Sequence, residues 1–130
     1  MELHVYKNTT TQEVKGQFSG YFPFLKLEFL VYRHHTEEGF HLNKEVHKGL
    51  YVDEASEFFK EGVLYFSPSA TVAELEQAFQ IELGLAVKVF RRSPDAWVDT
   101  TQTSHLSLSK QNNMGAAVVR PQFNLHTLFL

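Results

Sequence analysis

Cysteine is missing from this chain of 130 residues. That absence excludes a disulfide scaffold and every zinc or nucleophile scheme that needs a thiolate. No apolar run approaches the about eighteen residues of a membrane-spanning helix. Met1-Glu2-Leu3-His4-Val5 also lacks the basic region and long apolar stretch of a secretion signal, so the expectation is a soluble, cytoplasmic protein. Asn8-Thr9-Thr10 matches a glycosylation acceptor, which carries no weight without such a signal. One sign of charge does not dominate either. The net charge is -3 with acids and bases interspersed, so the counterion release that drives nucleic-acid binding has no visible source.

Glycine is scarce and scattered, with seven in all, and no Gly-x-Ser-x-Gly elbow, Gly-x-x-x-x-Gly-Lys loop or Gly-x-Gly-x-x-Gly turn occurs. Nucleophile, phosphate and dinucleotide chemistries therefore lose their usual backbone geometry. What the chain does have is apolar content: 43% hydrophobic residues, with twelve Phe, five Tyr and one Trp. A chain of this length buries about two-thirds of its unfolded surface, enough for a single domain with one core.

The same layout occurs twice. Leu3, Val5, Thr10, Glu13, Val14 and Phe18 recur sixty-one positions later as Leu64, Phe66, Thr71, Glu74, Leu75 and Phe79. Thr and Glu three apart cap a helix start reciprocally, and the apolar positions bury one face. Each copy ends in a second apolar run closed by an aromatic residue and arginine, Tyr32-Arg33 and Phe90-Arg91. The pattern predicts two strand-helix-strand halves. It predicts strands at 2–6, 24–33 and 63–66, and helices from Thr10 to about Gly20 and from Thr71 to Leu83. Residues 34–48 give no clean period and read as a turn followed by a weak edge strand or an irregular loop. Asp53 can cap a short helix over 54–60, with Gly62 beyond its end.

Ser93-Pro94-Asp95 supplies a turn between 85–92 and 96–101, so a hairpin follows with Arg92 opposite Trp97 and Phe90 opposite Asp99. Thr103 or Ser104 can cap a further helix to Met114, stopped by Gly115, with an apolar run at 116–119. The expected class is α+β, with a mixed or antiparallel sheet carrying two main helices on one face. A ferredoxin-like arrangement leads, and a grasp-like sheet with helix 71–83 across the hairpin is the alternative.

Thr71-Val72-Ala73-Glu74-Leu75-Glu76, Gly84-Leu85, Val87 to Arg92, Trp97 and Gln111-Asn112, with the Phe22 to Phe29 run, resemble segments of conserved bacterial proteins of unassigned function. The resemblance implies a bacterial cytoplasmic origin and no activity.

Candidate site residues fall in three sets. If Val87, Val89 and Val98 cover the core, Phe90, Arg92 and Trp97 form an aromatic and basic cluster of interface composition on the far face, unless the helix after Ser104 folds over it. Asp99, Thr101 and Thr103 with Gln111, Asn112 and Asn113 can read hydrogen-bonding ligands, or can simply cap turns and helices. His34, His35, His41 and His47 lie among Glu37, Glu38 and Glu45, but His34 and His35 alternate across a strand and no His-x-x-x-His spacing occurs. A solvated histidine-rich loop explains them without a metal. His105 beside Ser104 and Ser107 does not make a triad.

The leading expectation is a noncatalytic, self-associating protein-interaction module without cofactor or metal. Its binding residues are Arg91, Arg92, Trp97, Asp99, Gln111 and Asn112, with the apolar tail around Phe123, Leu125 and Phe129 as a second surface. The alternative from a different class is a small-molecule binder or enzyme whose pocket gathers His34, His41 and His47, or the polar set from Asp99 to Asn112.

Overall fold

The computed structural model describes residues 1–35 and 41–119, and for 32–35 and 41–44 the backbone alone. The order is β1 (Glu2–Val5), α1 (Thr11–Tyr21), β2 (Leu25–His35), β3 (His41–Val46), a 3-10 turn (Val52–Ala55), β4 (Gly62–Tyr65), α2 (Val72–Ala78), β5 (Ala86–Arg92), β6 (Trp97–Asp99), a second 3-10 turn (Thr101–Thr103) and α3 (Leu108–Val119). The class is α+β with antiparallel pairing throughout. Among the described residues, no helix is long and apolar enough to cross a membrane.

Both helix starts form where the Thr-x-x-Glu spacing places them. Thr10 Oγ1 accepts from the Glu13 amide at 3.1 Å, and Thr71 Oγ1 accepts from the Glu74 amide at 3.0 Å. The second cap is reciprocal, because the Glu74 carboxylate also accepts from the Thr71 amide at 3.0 Å. These hydrogen bonds to the ionised form hold Glu74 below the usual carboxylate range. After Ala78, α2 widens into a π turn over Phe79–Leu83 and stops at Gly84. Gly84 has φ of +65°, and a Cβ there would sit 2.0 Å from the Phe58 carbonyl oxygen. Conformation and space both require glycine.

The strands do not join into one sheet. β1 and β4 make a two-stranded sheet, and β3-β2-β5-β6 make a four-stranded one. This replaces the single-sheet, ferredoxin-like order expected from sequence. The reason lies in how the halves meet: β1 pairs with β4 and β2 with β5, while β3 and β6 form the outer edges of the large sheet. Leu3 lies opposite Leu64 and Phe29 opposite Val87, both antiparallel. Counterparts paired with each other are what a twofold relation requires.

The duplication reaches further than the sequence pattern indicated. Thr10 bridges Tyr51, and Thr71 bridges Ser107. Val52 N donates to Thr9 O at 3.0 Å, and Leu108 N donates to Ala70 O at 2.8 Å. The turn at Val52–Ala55 therefore occupies in the first half the place that α3 takes in the second.

The core lies where these elements meet. Leu3, Val5 and Leu64 come from the small sheet, Leu25, Leu27, Phe29, Val87 and Val89 from the large one, and Val14, Phe18, Leu75 and Phe79 from the helices. Phe29 and Phe79 meet edge to face, with ring centroids 6.2 Å apart.

Three other expectations are corrected. The helix expected over 54–60 is only the 3-10 turn, because the chain then extends and Lys60 N donates to Leu83 O at 2.9 Å. Helix α3 starts after Ser107, whose hydroxyl accepts from the Lys110 amide at 3.0 Å, and it runs through Gly115 instead of stopping there. A Cβ at Gly115 would lie 2.9 Å from Phe24 Cβ, so glycine here serves close packing and the 116–119 run is the last turn of the helix. By contrast, the edge strand expected as one reading of residues 34–48 is present as β3. The apolar tail around Phe123, Leu125 and Phe129 lies outside the described residues, as do Glu37 and Glu38.

Candidate functional site

The hairpin forms in the register that the turn dictates: Arg92 pairs with Trp97, Arg91 with Val98 and Phe90 with Asp99. Strand alternation then sets Arg92, Trp97 and Asp99 apart from Arg91, and α3 brings Gln111 and Asn112 to the side of Arg91.

Arg92, Trp97 and Asp99 share one face with Phe90. Across β2, Lys26 lies directly opposite Phe90. Its ammonium sits 5.3 Å from the centroids of both the Phe90 and the Trp97 rings. The Arg92 guanidinium carbon lies 5.5 Å from the Trp97 ring. Two aromatic faces thus hold two cations, an arrangement in which ring quadrupoles attract charge. Neither Lys26 nor Arg92 has an ion-pair partner among the described residues.

Next to this cluster Lys88 Nζ meets Asp99 Oδ1 at 3.1 Å and also donates to Thr101 Oγ1. Asp99 further accepts from the Thr101 amide at 2.7 Å and from the Thr101 hydroxyl at 2.5 Å. Burial pushes the Asp99 carboxyl up, but the Thr101 hydrogen bonds and the Lys88 charge outweigh it and hold the group below the usual carboxylate range. Asp99 is therefore a firm anion that neutralises Lys88, leaving Lys26 and Arg92 as the open charges.

Arg91, Gln111 and Asn112 stand on the other face and are spent on structure. Arg91 Nη1 donates to Gln111 Oε1 at 2.7 Å, and Gln111 Nε2 donates to Thr103 O and Thr103 Oγ1 at 2.7 and 2.9 Å. Gln111 is fully buried. Asn112 Oδ1 accepts from the Phe24 amide at 2.8 Å. These bonds lock α3 to the end of the large sheet, on the side away from the Trp97 cluster. The helix after Ser104 therefore does not cover Phe90, Trp97 and Lys26.

Lys26 was not among the residues singled out from sequence. Its signal was half present, because period-two alternation in β2 put it on the polar face, but nothing local says that β2 borders β5.

His47 Nε2 lies 3.0 Å from Tyr51 O. His105 is exposed on the second half, and the side chains of His34 and His41 lie outside the described set. Among the described residues no group of three or more His, Asp or Glu side chains is placed to hold a metal ion.

His47 does line a cavity of about 320 Å³ between α1 and residues 47–50, together with Thr11, Gln12, Lys15, Glu28 and Phe29. Lys15 Nζ and Glu28 Oε1 are 2.6 Å apart on its wall.

Comparison of the chain with protein-family models, with curated proteins and with solved structures finds no match.

Proposed function

We propose that this chain is a noncatalytic protein-interaction module that binds through the face of the large sheet carrying Lys26, Phe90, Arg92 and Trp97. The observation that carries the reading is Lys26 held between two aromatic rings, on the face opposite α3. Tryptophan and arginine are enriched at the energetic centres of protein interfaces, tryptophan for its large rigid area and arginine for its planar fork of donors. Two cations without carboxylate partners call for a partner surface that brings carboxylates and apolar groups together.

A second copy is the partner to test first, since the chain has 15 acidic residues to present. Bacterial cytoplasmic origin, suggested by the sequence resemblance, belongs to this same proposal. The site residues in this reading are Arg92 and Trp97 from the hairpin with Lys26 and Phe90. Asp99 sets the charge of Lys88, and Arg91, Gln111 and Asn112 hold α3.

Sedimentation velocity over a concentration series, at low and high salt, tests it. The expected result is association that weakens as salt screens the cations and disappears in Trp97→Ala and Lys26→Glu. A strict monomer at high micromolar concentration, unchanged by Trp97→Ala, would remove self-association.

A further inference from the structure

We propose that the cleft between α1 and residues 47–50 binds a small organic monoanion, a carboxylate carrying a short apolar body. The cavity, about 320 Å³, falls at the small end of ligand-site volumes. Its side chains set the charge that fits. The charged residues of the lining are Lys15, Glu28 and Lys48, with Lys48 exposed at the rim. Glu28 is largely buried and holds Lys15 at 2.6 Å, so that pair is neutral and fixed in place. Lys48 has no ion-pair partner among the described residues and so is free to meet an anion at the rim, while the Glu54 carboxylate stands on the Gly49 side. Gln12 adds an amide at the rim. Phe29, almost completely buried, supplies an apolar floor. His47 is oriented by Tyr51 O and lies over Gly49, whose missing side chain makes room for its ring.

The second half shows that the fold itself does not require this arrangement. The shift of sixty-one puts Glu76 in the place of Lys15, and the matching bridges of Tyr51 and Ser107 put Thr103 in the place of His47 and Ser104 in that of Lys48. There the chain closes down on α2: Ser104 O accepts from Ala73 N at 3.0 Å, and the Glu76 carboxylate accepts from Val89 N at 3.0 Å. One half of a duplicated frame is filled by backbone, while the other keeps an opening lined by charge.

The site is independent of the Trp97 face, and the two readings fail separately. Amide NMR titration of the full chain with sodium benzoate, and with benzamide as its uncharged counterpart, tests it. Benzoate should shift the Gln12, His47 and Gly49 amides saturably, with a Kd in the millimolar range or below. Benzamide should not. Lys48→Ala should weaken benzoate by about tenfold, which is about 1.4 kcal/mol. Gly49→Ala should do the same, because a Cβ would lie 2.5 Å from His47 Cε1 and displace the ring. Dispersed amide spectra establish that both variants fold. His105→Ala, in the closed half, should leave affinity unchanged, as should Trp97→Ala.

Absence of saturation, equal binding of benzamide, or unchanged affinity in Lys48→Ala would each overturn the proposal. Tighter binding of inorganic phosphate than of benzoate would overturn the apolar part of the assignment.

Discussion

The two halves of this protein finish the same edges in different ways. Around β1, Gln17 acts as a stand-in strand: its Oε1 accepts from the His4 amide at 2.8 Å and its Nε2 donates to the His4 carbonyl at 3.1 Å. Its counterpart is Ala78, and beside it Tyr65 is 70% exposed. Around the large sheet, the first half extends β3 over six residues and leaves a cleft behind it. The second half stops β6 after three residues and tucks a 3-10 turn against α2. A duplicated frame constrains what is buried, while exposed counterparts diverge toward different tasks. Here the divergence places an ion-paired cleft on one half and an aromatic, cationic sheet face on the other.

The strongest test of that symmetry is in the core. Phe18 and Phe79 are counterparts, both fully buried. Phe18→Ala and Phe79→Ala should each cost about 3–5 kcal/mol, read by urea denaturation. Costs differing by more than about 2 kcal/mol would show that the frame is shared in shape and not in energetics.

A smaller difference is expected at the helix starts. Thr71→Ala and Thr10→Ala each remove an N-cap, worth about 1 kcal/mol. Thr71→Ala should be the more costly, because its cap is reciprocal. The opposite ranking in thermal melts would contradict that assignment.

The smallest effect concerns pH and only the second half. Asp99 is held below the usual range, so its contribution to stability is complete above the unfolded carboxylate value of about 3.9 and is lost as pH falls through the lower folded value. Asp99→Asn should flatten acid unfolding slightly in that window. It should leave stability at neutral pH within about 0.5 kcal/mol, because the group is more than half exposed. An unchanged acid profile would mean the Lys88 and Thr101 contacts do not persist in solution.

The candidate site was partly legible. Pro94 and Asp95 fix the hairpin register, which places Arg92 against Trp97 from sequence alone. Alternation also puts Arg91 and Arg92 on opposite faces, a signal that grouping the two arginines as one surface overlooked. Lys26 is invisible from sequence, since it joins the cluster only because β2 lies next to β5. The same holds for Lys15, Glu28, His47 and Lys48, which come from three separated segments.

The sequence by itself determined the α+β class, both capped helix starts, the hairpin and the echo between halves, because each rests on interactions within a few residues. Only the tertiary structure decided that the halves pair counterpart to counterpart. It also decided that the strands split between two sheets, that α3 runs through Gly115, and that one half keeps a cleft which the other closes. Those outcomes depend on which distant surfaces bury each other, and burial is settled by the whole packed chain.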